Sequence, residues 1–296
     1  MPVIGEHRAL DVDHLLLAMD FSVYSEVAAT YAAGIAKRFS SQVTLLHVVD
    51  LSLSQRYDGA ILGISADEIR SQSSDNVDRA LGDLAFAGIR ASAHTVESHD
   101  IAASILSFSH QVKTDIIVMG THGKQGLERV LLGSVAEAVI RHAACPVLTV
   151  GPRVTKLRGP LSFSSIIFAT DLTPGVAGQA AIALSFAQEG QARLHLCHVL
   201  EPASEDISGT LDHQLRFEAA LQKLVPSSAI DWCDPDCLVE HGEPSSRILA
   251  IASRVSSDLI ILGAKSAAPL WTHLRSGVVG HVLSGAPCPV MTIASR

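Results

Sequence analysis

Short apolar runs and amphipathic stretches follow one another along the chain. A short continuous apolar run is typical of a strand buried on both faces of a sheet, whereas apolar residues three or four positions apart predict a helix. In the first half these patterns predict strands over residues 15–19, 42–49, 93–97, 115–119 and 146–150, and helices over 24–39, 66–87, 101–112 and 135–141. Such alternation favours an α/β fold with a mostly parallel sheet and right-handed crossovers.

The same series of segments occurs twice. Two segments of the first half reappear 151 positions later: 14–20 as 165–171, and 43–48 as 194–199. Two later segments reappear after 143 positions: 115–120 as 258–263, and 145–149 as 288–292. The change of offset places eight fewer residues between the second and third strands of the second half. The sequence therefore predicts a tandem duplication with one shortened connection, which surface loops tolerate.

The duplication sets the predicted domain boundaries. A chain of 296 residues is long enough for two domains, and 48% apolar residues can supply two cores. Gly-Pro pairs at both ends of the segment 151–160 are typical of a linker. We therefore predict a first repeat over residues 1–151, a linker over 152–164 and a second repeat over 165–296.

Composition excludes several classes of protein. No apolar run approaches the roughly 18 residues that cross a bilayer, and residues 1–13 lack the apolar core of a signal peptide. A net charge of −8 disfavours a nucleic-acid partner. Five cysteines, an odd number, favour reduced thiols and a cytoplasmic protein. Cys233 and Cys237 lack a second pair nearby, which favours a structural role over a metal site.

A glycine-rich loop is the clearest functional signal. The motif Gly120-x2-Gly123-x9-Gly133-Ser134 joins a predicted strand to a predicted helix. Glycine permits positive φ and a close approach of the main chain, so backbone N–H groups at the helix start can meet phosphate oxygens. Because ligands bind beyond the carboxyl ends of parallel strands, the nearby strand ends at Asp20 and Val48 point to the same site.

From about residue 14 to residue 293 the chain resembles the universal stress protein family in a tandem two-domain form. The glycine motif, Asp20, the His47-Val48 pair and the Cys145-Pro-Val ending carry the resemblance. It implies two tandem doubly wound α/β domains, each a five-stranded parallel sheet of order 3-2-1-4-5 with helices on both faces. Because domains of this family commonly pair through their last strands, it also implies a homo-oligomer or an internal pseudo-dimer.

The resemblance further implies an ATP site in the first repeat, with or without Mg²⁺. It places the adenine and ribose against Asp20 and Val48. The loop around the ribose and phosphates would be formed by Met119, Gly120 and Gly123. The phosphates would bind at the helix start formed by Gly133, Ser134 and Val135.

The second repeat departs from the motif. Gly263 matches Gly120, but Ser266 replaces Gly123, and Ser276-Gly277 replaces Gly133-Ser134. Pro269, Leu270 and Trp271 occupy the loop interior; side chains narrow the approach to a phosphate, and proline removes a donor. We expect weak or absent nucleotide binding there, with a differently shaped pocket as the alternative.

Other interpretations stay open from the sequence alone. Asp20 could cap the following helix, and His47 and His198 are expected to be hydrogen-bonded core residues. Cys145 and Cys288 precede proline at strand starts, where packing explains them. The expected function is nucleotide-responsive binding in stress or signalling. The alternatives are slow ATP hydrolysis or autophosphorylation on Ser134 or a loop threonine, and nucleotide-independent dimerisation or chaperone activity. A Walker lysine motif is absent, so efficient turnover is not expected.

Overall fold

The structure is a computed structural model that describes residues 12–50, 66–121, 132–201, 207–265 and 277–295. Its contacts divide the chain into two compact units. The first unit contains Val12–Val150 and Thr155–Leu161, and the second contains Gly151–Val154 and the residues from Ser162 onward. Within the described ranges, no helix is both long and apolar enough to span a bilayer.

The first unit is a parallel five-stranded sheet with the strand order β3-β2-β1-β4-β5, which confirms the predicted order. Its elements are β1 His14–Ala18, α1 Val23–Phe39, β2 Gln42–Asp50, α2 Ala66–Phe86, β3 Ala91–Ser98, α3 Ile101–Val112, β4 Ile116–Gly120, α4 Ser134–His142 and β5 Val147–Val150. Every residue of the central strand β1 is buried, as its continuous apolar run predicts.

The second unit repeats this topology with the order β8-β7-β6-β9-β10. Its elements are β6 Ser165–Ala169, α5 Val176–Gly190, β7 Arg193–Leu200, α6 Ile207–Gln222, a short 3₁₀ helix Ser227–Asp231, β8 Asp234–His241, α7 Pro244–Arg254, β9 Leu259–Lys265, α8 Val278–Gly285 and β10 Val290–Ser295. Arg193 lies 151 positions after Gln42, and Asp234 lies 143 after Ala91, which confirms the shortened connection between the second and third strands.

Helix α1 begins at a cap that the sequence analysis did not identify. The hydroxyl oxygen of Ser22 accepts a hydrogen bond from the amide of Ser25 at 3.3 Å. Asp20 lies before the cap, and its carboxylate accepts from the amide of Ser22 at 3.0 Å. The interpretation of Asp20 as the helix cap is therefore wrong, because Ser22 holds that position and Asp20 fixes the turn that leads into it.

Glu243 is the N-cap of α7, and its carboxylate accepts from the amides of Ser245 at 3.0 Å and Ser246 at 2.7 Å. Loss of hydration acts to raise the pKa of this exposed carboxyl group, but the hydrogen bonds donated by Ser246 and Ser245 outweigh that effect and hold the pKa at about 2. The ionised side chain is thus the form that caps the helix.

Replacing Glu243 with alanine is expected to lower the free energy of unfolding by about 1 kcal/mol at neutral pH, the usual cost of a lost helix cap. Because folding depresses the pKa, the stabilisation is complete above the ordinary pKa of 4.5 and is lost as the pH falls through about 2. Urea unfolding at intervals from neutral to acid pH measures the difference, with exposed Glu201 replaced by alanine as the control. A pH-independent difference would contradict this account.

Residues Thr155–Leu161, which we call the linker segment, pack along α1 of the first unit. The amide of Leu157 donates to the hydroxyl of Thr30 at 3.2 Å, and Lys156 forms an ion pair with Glu26 at 2.9 Å. Leu161 is buried, and a Cβ atom added to Gly34 would lie 2.7 Å from the Leu161 Cβ atom. Part of the predicted linker therefore belongs to the core of the first unit.

Candidate functional site

The candidate site lies at the carboxyl edge of the first sheet, where the strand order reverses. Strands β2 and β3 lie on one side of β1, and β4 and β5 lie on the other. The register pairs Ala18 with Met119, so Asp20 follows β1 at the same edge at which Gly120 ends the neighbouring strand β4. Such a reversal leaves a crevice between the crossover connections, which is the common ligand site of open α/β sheets.

His47 fixes the backbone beside this crevice. Its Nδ1 atom lies 2.7 Å from the carbonyl oxygen of Met19, and its ring contacts that of Phe21 with the centroids 4.7 Å apart. A carbonyl only accepts, so Nδ1 carries the hydrogen. His198 makes the equivalent bond to the carbonyl of Thr170 at 2.8 Å. Both histidines are buried, which confirms their predicted role as hydrogen-bonded core residues.

Val48 and Met119 bring apolar side chains to the same edge. Val48 follows His47 on β2 and is 9% exposed, and Met119 near the end of β4 is 5% exposed. Each lies at the carboxyl end of its strand, one on either side of β1. The crevice is therefore bordered by apolar surface next to the carboxylate of Asp20.

Position 120 requires a glycine because α1 packs closely against it. A Cβ atom added to it would lie 2.9 Å from the Tyr24 Cβ atom and 3.0 Å from the amide nitrogen of Ser25. Gly120 does not adopt positive φ, and the φ of Gly133 is −62°. The expected use of positive φ is therefore wrong at these two positions, and at Gly120 the absence of a side chain lets α1 pack against β4.

Thr121 and Gly133, which flank residues 122–131 in the sequence, are hydrogen-bonded to each other. The amide of Gly133 donates to the carbonyl of Thr121 at 2.8 Å, and the amide and hydroxyl of Thr121 donate to the carbonyl of Val150 at 3.0 and 3.2 Å. Gly123, with its neighbours His122 and Lys124, lies outside the described residues. Thr121 and Gly133 therefore lie together at the carboxyl end of β4.

The N-terminus of α4 offers amide groups at this edge. Gly133 is the N-cap and supplies no side-chain hydrogen bond, and the first intrahelical bond runs from the amide of Glu137 to the carbonyl of Gly133 at 2.9 Å. The amides of Ser134 and Val135 therefore belong to the first turn, and Ser134 is exposed. A helix start without a side-chain cap combines donors with partial positive charge, which suits an anion.

The second unit differs at the corresponding place because of Gln179, a residue that the sequence analysis missed. Its side chain is 5% exposed and donates through Nε2 to the carbonyl of Ile293 at 3.1 Å. The equivalent carbonyl, that of Val150, accepts the hydroxyl of Thr121 in the first unit, where Ala28 stands in place of Gln179. A glutamine opposite an alanine in the duplicated helix is the signal that could have revealed it.

Gln179 fills space that α1 fills in the first unit. Helix α5 begins at Val176, two positions later than α1 relative to the duplication, after Pro174 and Gly175. Where the first turn of α1 lies against Gly120 in the first unit, the side chain of Gln179 lies against Gly263 in the second and leaves no room for a Cβ atom there. Helix α8 likewise begins one position later than α4, with Gly277 as its cap. Ser266, Pro269, Leu270, Trp271 and Ser276 lie outside the described residues.

The cysteines show no sign of reactivity. All five are free thiols. Burial raises the pKa of Cys197 and Cys288 to about 12 and that of Cys233 and Cys237 to about 11. Thiols of this kind stay protonated at neutral pH and are poor nucleophiles. Within the described ranges, no group of three or more histidine, cysteine or acidic side chains is arranged to hold a metal ion.

Comparison with known proteins identifies the family. The universal stress protein family matches residues 12–151 and again residues 162–294. A universal stress protein of Methanocaldococcus jannaschii is 39% identical over 140 residues, which are 46% of this chain and 80% of that protein. The crystal structure of a universal stress protein from Archaeoglobus fulgidus shares the fold, with a TM-score of 0.72 at 22% identity over 96% of this chain and 97% of that one. The chain therefore belongs to the universal stress protein family and contains two tandem repeats of it.

Proposed function

We propose that the first repeat binds an adenine nucleotide, ATP in particular, and that the protein acts as a nucleotide-responsive module in stress or signalling. The observation that carries this proposal is the start of α4, where Gly133 leaves first-turn amides without a side-chain cap beside the end of β4. Phosphate groups need such donors together with positive charge.

The neighbouring residues supply contacts for the rest of the nucleotide. The carboxylate of Asp20 can accept hydrogen bonds from ribose hydroxyls, because it lies in the turn after β1 at the same edge. Val48 and Met119 offer apolar surface to the adenine ring. Gly120 lets the chain pass close to the ligand, and Gly123, Gly133, Ser134 and Val135 hold the phosphates.

Mg²⁺ would accompany the phosphates rather than occupy a protein site of its own. Among the described residues no acidic cluster could hold a metal, and Mg²⁺ commonly combines phosphate oxygens, water and few protein ligands. This arrangement favours binding over rapid phosphoryl transfer, which needs a positioned nucleophile and metal.

One nucleotide per chain is expected. In the second repeat Gln179 occupies the space beside Gly263, and α8 starts one position later than α4. Nucleotide binding to the first repeat would then favour one arrangement of the surface around α4, which a partner could recognise.

Calorimetry with ATP tests the proposal, with Gly123→Val as the variant. Valine at position 123 adds bulk where the main chain approaches the phosphates, so we expect binding to fall by roughly a hundredfold or more. Gly126→Val, three positions away in the same segment, is the matched control and is expected to retain binding. Circular dichroism checks that both variants keep the fold.

Two outcomes would reject the proposal. One is wild-type protein that neither releases adenine nucleotide on denaturation nor binds added ATP. The other is unchanged affinity in Gly123→Val. Sustained multiple turnover of ATP with Mg²⁺ would show that the protein is an enzyme and not only a binding module.

A further inference from the structure

A cavity of about 800 Å³ lies between α1 and α2 of the first unit, along the length of α1 and apart from α4. We call it the α1–α2 groove. Leu17 of β1 and Met19, which follows β1, line it together with Leu84 of α2 and Leu161 of the linker segment. Its volume falls within the range of roughly 300–1,000 Å³ that is usual for small-molecule sites.

The groove exists because small residues line it on both helices. Ala29, Ala33 and Gly34 line it from α1, Ala80 lines it from α2, and Ala87 lines it just after the end of α2. Between positions 70 and 86, Val77 and Leu84 are the buried residues of α2. The helix therefore contacts the sheet through few side chains, and the half-buried Ala29, Ala33 and Ala80 face the groove.

The charges around the groove differ from those of the whole chain. The chain carries a net charge of −8, whereas four cationic and two anionic side chains line the groove: Lys37, Arg38, Arg79, Lys156, Glu26 and Asp83. Lys156 is paired with Glu26 at 2.9 Å, and Arg79 donates to Asn76 at 2.6 Å. Lys37 and Arg38 lie in the last turn of α1, where they offset the partial negative charge of the helix end.

We infer that the α1–α2 groove binds a single-chain anionic amphiphile of the fatty-acid class. Its hydrocarbon chain would cover the half-buried Ala29, Ala33 and Ala80. Its carboxylate would lie by Lys37 and Arg79. An apolar floor with an excess of two positive charges matches one negative headgroup on an apolar tail. Glu26 and Asp83 disfavour a polyanion, and the groove includes no helix start of the kind found at α4.

Titration of the nucleotide-free, full-length protein with dodecanoate tests the inference, and dodecanol provides the same chain without the charge. We expect one dodecanoate per chain and weaker binding of dodecanol. Ala80→Leu, which fills the groove, should weaken dodecanoate binding by roughly tenfold or more. Ala85→Leu is the matched control, because Ala85 is exposed on the same helix and does not line the groove.

Charge variants separate the two parts of the site. Lys37→Gln with Arg79→Gln should reduce the preference for dodecanoate over dodecanol and leave dodecanol binding unchanged. Absence of dodecanoate binding in the wild type would overturn the inference, as would equal effects of Ala80→Leu and Ala85→Leu. If Ala80→Leu instead alters self-association, the groove is a contact between copies and the inference is wrong.

The inference about the groove and the proposal about the nucleotide site can be rejected separately. Gly123→Val should bind dodecanoate as the wild type does, and Ala80→Leu should keep its affinity for ATP. Competition between ATP and dodecanoate for one site would contradict the separate groove.

Discussion

Replacing Gly120 with valine is expected to lower the free energy of unfolding by about 3 kcal/mol and to abolish nucleotide binding. The new Cβ atom would lie 2.9 Å from the Tyr24 Cβ atom and 3.0 Å from the Ser25 amide nitrogen, so the first turn of α1 must move. Overpacking of this kind costs about 1–3 kcal/mol, and here the atoms that must yield include the main chain. Urea unfolding and calorimetry with ATP measure the two effects.

Gly82 provides the opposite case. It lies inside α2, and an added Cβ atom would meet nothing within 4 Å. Gly82→Ala is expected to raise the free energy of unfolding by about 0.5–1 kcal/mol, because alanine loses less backbone entropy in a helix. A Gly120→Val protein as stable as the wild type would show that α1 does not pack against β4 as described.

Truncation of Phe168 to alanine is expected to cost about 3–5 kcal/mol of stability in the second repeat, as for other fully buried aromatic residues. Phe168 lies in the central strand β6 and has 0% exposure. Trp232 and Trp271 are the two tryptophans of the chain, and both belong to the second repeat. Their fluorescence during urea unfolding therefore reports on the repeat that carries the substitution.

Phe86 is the control for this substitution, because it is 97% exposed at the end of α2. Phe86→Ala should change the free energy of unfolding by no more than about 0.5 kcal/mol. Equal losses for Phe168→Ala and Phe86→Ala, the latter measured by circular dichroism, would mean that β6 is not the centre of a packed core.

The repeated sheet could be predicted because its signal is local. The runs that form β1 and β6 are continuous and apolar, and the constant offsets within each block align equivalent strands. The amphipathic pattern of α2 was less informative. Its apolar residues at helical spacing include Ile69, Val77, Leu81 and Leu84. Val77 and Leu84 are buried, but Ile69 and Leu81 remain partly exposed. An apolar residue at helical spacing indicates which side faces inward, not how closely that side packs.

The site was predictable only where it depends on strand ends. Asp20, Gly120 and the start of α4 follow from the positions of β1, β4 and the glycine motif. The contact of Gly120 with α1, the cap at Ser22 and the filling of space by Gln179 depend on side chains from distant segments. A single sequence contains these residues but does not state which of them meet.

Because the linker segment packs on α1, the compact first unit extends beyond the end of the first sequence repeat. A recombinant first repeat cut after Val150 would lose Leu157 and Leu161, and with them the cover over Thr30 and Gly34 on α1. A version extended to Leu161 keeps that cover. Dissection of the chain for separate expression should therefore follow the packing of α1 rather than the end of the last strand.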